Sequence, residues 1–122
     1  LELAGVSKPE HVEFQSLLPL IAGGESRYDQ IYGAYLEKQR SIRTDQYKLI
    51  AYPEAKVIRL YDIMSDPLEM KDLAADPAMQ TTKGELFGEL LKLQAAMNDN
   101  LDLRFMAPDE TPIDDAATSI AR

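Results

Sequence analysis

"QRSIRTDQYKLIAYPEAKVIRLYDI" (residues 39–63) holds three strand-like runs with almost nothing between them. The runs cover residues 39–44, 47–52 and 57–63. "TDQ" (44–46) separates the first two and "PEAK" (53–56) the last two. A parallel crossover needs a dozen or more residues, so links this short join only antiparallel neighbours. A further run, "QIYGAYL" (30–36), comes just before and passes through the loop "YLEK" (35–38). Its Gly33 marks a bulge or a close backbone approach. The four runs together predict an antiparallel meander.

Both phases of the inner strands carry bulky residues. Tyr47, Leu49 and Ala51 point one way, Ile50 and Tyr52 the other. One face needs a cover, and the covering element is a helix over residues 77–98. Leu86, Leu90, Leu93 and Met97 form an apolar stripe there, widened by Phe87 and Leu91. Gly84 and Gly88 each weaken that helix by about 1 kcal/mol relative to Ala, so packing on the sheet must hold it. The expected fold is α+β: a four-stranded antiparallel sheet with a long C-terminal helix packed on one face. The other face would meet something outside these elements, leaving an exposed apolar patch.

The chain of 122 residues suits one modest core. Its formal charge of -8 opposes a nucleic-acid or anionic-membrane surface, since phosphate binding needs a basic patch. No apolar run approaches the ~20 residues of a membrane span. With no Cys there is no disulfide, thiolate zinc site or Cys nucleophile. The opening "LELAG" reads as the last turn of a helix with its terminal Gly, as expected of a piece of a longer protein.

"LYDIMSDPLEMKDLAADP" (60–77) carries Asp62, Asp66, Glu69, Asp72 and Asp76. A calcium loop needs ligands at alternate positions and a Gly at the sharp turn, and this stretch has neither. Helix starts fit better. Asp66 stands at an N-cap position with Pro67 at the first helical position and Glu69 at the third, a capping box for a short helix containing Asp72. Asp76 and Pro77 repeat the pattern for the long helix, and Asp62 ends the fourth strand.

Read in this order, the elements resemble the C-terminal subdomain of the sulfatases, within the alkaline-phosphatase-like hydrolases. The family pattern runs roughly "raiRt-x-x-yKli", a hairpin, then "eLYDL-x-x-DP-x-E-x-x-NLa". Ile42, Arg43, Thr44, Tyr47, Lys48, Leu49 and Ile50 match its first part. Leu60, Tyr61, Asp62, Asp66, Pro67, Glu69, Leu73 and Ala74 match its second, with Asp72 where Asn is usual. The stretch 1–24 resembles the family's lead into this subdomain, with Phe14 and Gln15 replacing its usual Gly-Arg. The likeness covers roughly residues 1–98.

The resemblance implies a parent that hydrolyses sulfate esters or sulfamates and is periplasmic or secreted. In that family a Cys or Ser in a Cys/Ser-x-Pro-x-Arg motif becomes formylglycine, which attacks sulfur beside a bound Ca2+. No serine here sits in such a motif, so nucleophile, metal ligands and catalytic bases would lie upstream. The chain then divides into an irregular lead-in (1–27), the subdomain (28–98) and an acidic tail, mobile or draped on the surface (99–122). The expected partners are the N-terminal catalytic domain of the same chain and the parent's sulfated substrate.

No catalytic and no metal-binding residue is assigned. Tyr35, Lys38, Arg40 and Arg43 are the candidates for a substrate subsite, because cationic groups suit sulfate and loops carry much of function. The bland alternative is cross-strand ion pairing with the many acids. His11, the sole His, lies on a Pro-flanked loop without a visible catalytic partner. Two rival readings remain: a non-enzymatic α+β interaction or ligand-binding module, and the same subdomain of a phosphonate or phosphate monoester hydrolase.

Overall fold

The computed structural model describes residues 1–26 and 28–108. Among them, strands β1 (Ile31–Tyr35), β2 (Gln39–Arg43), β3 (Tyr47–Tyr52) and β4 (Val57–Asp62) form one sheet in the order β1-β2-β3-β4. Every neighbouring pair is antiparallel, as the short links require. The middle link is closed by Thr44: its N–H donates to the Tyr47 carbonyl at 2.8 Å, and its hydroxyl accepts from the Tyr47 N–H at 3.0 Å. Gly33 lies opposite Ser41 without a bulge. A Cβ added at Gly33 would stand 2.5 Å from the Ser41 hydroxyl, so its role is close approach.

Register builds the core. Tyr32, Ile42, Leu49 and Leu60 align across the four strands, and the last three are fully buried. Each such aliphatic side chain contributes about 1.5–3 kcal/mol when removed from water. A short helix α1 (Leu18–Ile21) lies in the lead-in, none of whose described residues is buried. The long helix α2 (Gln80–Ala96) covers the Leu49 face with Leu86, Phe87 and Leu90. Its start follows the expected cap. Asp76 accepts from the Ala78 N–H at 2.9 Å, and Pro77 opens a 3-10 turn that runs into the helix.

Three details differ from the sequence reading. No short helix follows Pro67. Glu69 takes a left-handed φ of 54°, which no helical residue adopts, and its carboxylate binds Lys48 Nζ at 2.7 Å instead of closing a capping box. Asp66 accepts from the Lys71 N–H at 2.8 Å, holding a turn. Asp72 finishes the sheet edge: its Oδ1 accepts from the N–H groups of Leu60 and Ala74, both at 3.0 Å. The Leu73 N–H then donates to the Leu60 carbonyl at 2.7 Å, giving the outer side of β4 partners it would otherwise lack.

The second difference lies at the end of α2. Met97 is exposed, and Gln94 is buried in its stead. The helix stops because Asn98 turns left-handed, with φ 53°. The chain then reverses, and Gln94 Nε2 donates to the Leu101 carbonyl at 2.5 Å. The third difference follows. Residues 99–108 are not draped on the surface: Leu103 and Met106 enter the core beside Leu90. The rest of the expected acidic tail, 109–122, lies outside the described residues.

Candidate functional site

Strand alternation sorts the four candidate residues before any contact is considered. Arg40 shares its side of β2 with Ile42, so it points beneath α2, whereas Arg43 shares the uncovered face with Gln39 and Ser41. Tyr35 lies opposite Gln39 on that same open face and is 62% exposed. Lys38 closes the β1–β2 turn: its N–H donates to the Tyr35 carbonyl at 3.1 Å. Its ammonium reaches Glu54 of the β3–β4 turn at 3.9 Å, an exposed pair of little energetic weight.

The structure therefore brings Tyr35 and Lys38 together at one end of the sheet, with Arg40 beneath them. Arg43 stands apart, four residues along β2 from Gln39, a strand distance of about 13 Å. It lies directly across from Lys48, and both project from the open face. Glu69 neutralises Lys48. No ion-pair partner for Arg43 is present among the described residues.

Arg40 is held from three sides. Asp99 takes Nε and also Nη2, the latter at 3.1 Å. Nη1 donates to the carbonyls of Leu36 at 2.5 Å and Gln39 at 2.8 Å. The Tyr32 hydroxyl donates to the same Asp99 carboxylate. The Arg40 guanidinium and the tyrosine hydroxyl together keep Asp99 well below the usual carboxylate range, against the opposing effect of burial. Burial first, then the neighbouring carboxylate, pushes the Tyr32 phenol up to about 12. Arg40 is thus a buried residue with four of its five N–H donors bonded within the chain, to Asp99 and to the carbonyls of Leu36 and Gln39.

Sequence reasoning missed Asp99, Tyr32 and the Leu36 carbonyl as partners of Arg40. One signal was available: Arg40 alternates in phase with Ile42, so a covered Ile42 implies a covered Arg40. His11 is exposed in a turn. Among the described residues no group of three or more His, Cys, Asp or Glu side chains is arranged to hold a metal ion.

Residues 1–96 match the family described as N-sulphoglucosamine sulphohydrolase, C-terminal. An uncharacterised protein of Haemophilus influenzae is 32% identical over 107 residues, covering 83% of this chain and 55% of the relative. The chain therefore spans about half the length of that curated relative. A solved protein of Bacteroides thetaiotaomicron assigned to the sulfatases shares the fold, with TM-score 0.68 and 24% identity over 91% of this chain and 28% of its own. A 2-O GAG sulfatase superposes with TM-score 0.67 and 26% identity, again over 91% of this chain and 27% of its own. A third structure, solved in complex with its substrate D-glucosamine-2-N,6-O-disulfate, gives TM-score 0.68 and 26% identity over 91% of this chain and 24% of its own.

Proposed function

We propose that this chain, which belongs to the N-sulphoglucosamine sulphohydrolase C-terminal family, serves as the non-chemical subdomain of a sulfuric ester hydrolase. In this reading it packs on an N-terminal catalytic domain and lends Tyr35 and Lys38 to a substrate subsite, and it is inactive alone. The observation that carries the reading is family membership over residues 1–96, joined to a sheet with only one face covered by its own helix. Ile31 and Tyr35 stand exposed on the other face, and Leu3, Phe14 and Ile21 are exposed in the lead-in. That much uncovered apolar surface suits docking.

A Ca2+ ion and a formylglycine would belong to the catalytic domain. The acids present here do not fit a calcium site, because Asp62, Asp66, Asp72 and Asp76 each accept backbone N–H groups of their own chain. A sulfated sugar is the substrate class this reading adopts; it is supported by one similar structure described as a 2-O GAG sulfatase and another solved with its substrate D-glucosamine-2-N,6-O-disulfate. Arg43 faces outward and suits an anionic group, whether on the catalytic domain or on a substrate.

The test expresses the chain alone and joined to the coding sequence directly upstream of Leu1, then assays both with an aryl sulfate. Turnover by the joined protein and none by the chain supports the proposal. Turnover by the chain alone, absence of any hydrolase domain upstream, or preference for a phosphonate or phosphate monoester overturns it.

A further inference from the structure

The link between the segment after α2 and the β1–β2 turn has a consequence for the subsite, and it rests on the reading above for what that turn presents. We infer that Arg40 is a positioning residue: clamped by Asp99, it fixes the turn that carries Tyr35 and Lys38, so the chain after α2 sets the geometry of that loop.

Leu36 is held at a left-handed φ of 47°, a conformation a branched, apolar residue seldom adopts without restraint. Its carbonyl is gripped by Arg40 Nη1, and the carbonyl of Gln39 by the same nitrogen. A guanidinium is planar and rigid, so orienting one edge orients the other. The opposite edge is gripped by Asp99, which is itself fixed: its N–H donates to the Gln94 carbonyl at 3.0 Å, and its Oδ1 accepts from the Leu101 N–H at 3.1 Å. The side chains of Arg40 and Asp99 are only 7% and 17% exposed, so water competes poorly for these bonds. The path thus runs from the end of α2 through Asp99 and Arg40 to the backbone of the turn.

The experiment measures amide hydrogen exchange of Lys38, whose N–H closes the turn, in the chain and in Arg40→Lys and Asp99→Asn. The first variant keeps the charge but loses the fork, and the second keeps the shape but loses the charge. Exchange at Lys38 should accelerate at least about tenfold in both, while the amides of β3 keep their protection. Unchanged Lys38 protection in a folded variant overturns the inference. Should neither variant fold, Asp99→Glu displaces the carboxylate by one methylene and is read in the same way. In the longer enzyme the same substitutions should raise KM for a sulfated substrate several-fold with kcat little changed. Faster exchange with unaltered KM supports the clamp and overturns the subsite reading instead, so the two failures are separable.

Discussion

Two acidic segments flank α2, and the same residue type reaches further across the fold in the second than in the first. Before the helix, Asp62, Asp66 and Asp76 accept backbone N–H groups two to five residues ahead, forming turns and a cap. After the helix, Asp99 also accepts the N–H of Leu101 two residues ahead, but in addition it binds side chains 59 and 67 residues back in the sequence, those of Arg40 and Tyr32. The first use shapes the local path of the chain at about 1 kcal/mol per cap. The second neutralises a buried cation, and losing it leaves that cation without its counter-charge. Asp72 stands between the two cases. It holds one N–H nearby, at Ala74, and one on the sheet edge, at Leu60.

If this contrast is right, the largest effect comes from Asp99→Ala, with a loss of about 3 kcal/mol or more in denaturant unfolding, because a buried pair is broken from one side. Its pH dependence has a definite sign. Asp99 is depressed in the folded state, so its contribution is complete above the ordinary carboxylate value of about 3.9 and fades as pH falls below it. The stability gap between the native chain and Asp99→Asn should therefore narrow in acid. A gap that widens there would break the comparison.

Asp72→Ala should cost about 2 kcal/mol by leaving the N–H groups of Leu60 and Ala74 without their acceptor. Asp72→Asn should cost far less. Both backbone bonds go to Oδ1, which an amide oxygen can replace, and only the exposed pair with Arg59 at 2.9 Å is lost. Equal losses in the two variants would show that charge, not the backbone bonds, matters at this position. The same reasoning explains how Asp and Asn can both serve at that point of the motif.

Tyr32→Phe should cost about 1.5 kcal/mol, the value of a hydrogen bond to a charged group. It should also remove the phenolate absorbance that appears at about 12 in an alkaline titration. The phenol is raised, so its contribution is complete below the ordinary tyrosine value of about 10 and is lost as pH rises through about 12. The smallest effect is Asp76→Ala, at about 1 kcal/mol for one helix cap.

Legibility in the sequence follows the same division. The meander was readable because "TDQ" and "PEAK" are too short for anything but hairpins, and the start of α2 because Asp76-Pro77 is a local signal. Glu69 misled because Asp-Pro-Leu-Glu has capping-box spacing, while Lys48, 21 residues away, competes for the same carboxylate. Arg40 misled in another way. Its charge drew attention, but its strand parity with Ile42 decided its place, and its partner Asp99 sits in a segment whose polarity hid Leu103 and Met106. Of the candidate site, the turn with Tyr35 and Lys38 was visible as a loop. What braces it was not, because a contact across 59 residues leaves no spacing to read.

The acids around α2 bond to groups of their own chain, so calcium should leave the stability of this chain unchanged. The most direct test is the melting temperature of the chain in about 10 mM CaCl2 and in chelator, since even the weakest ordinary protein calcium sites have Kd near about 1 mM. Coincident melting curves are expected. A clear, saturable rise in Tm with Ca2+, abolished by substituting Asp62 or Asp72, would show instead that these acids bind the ion.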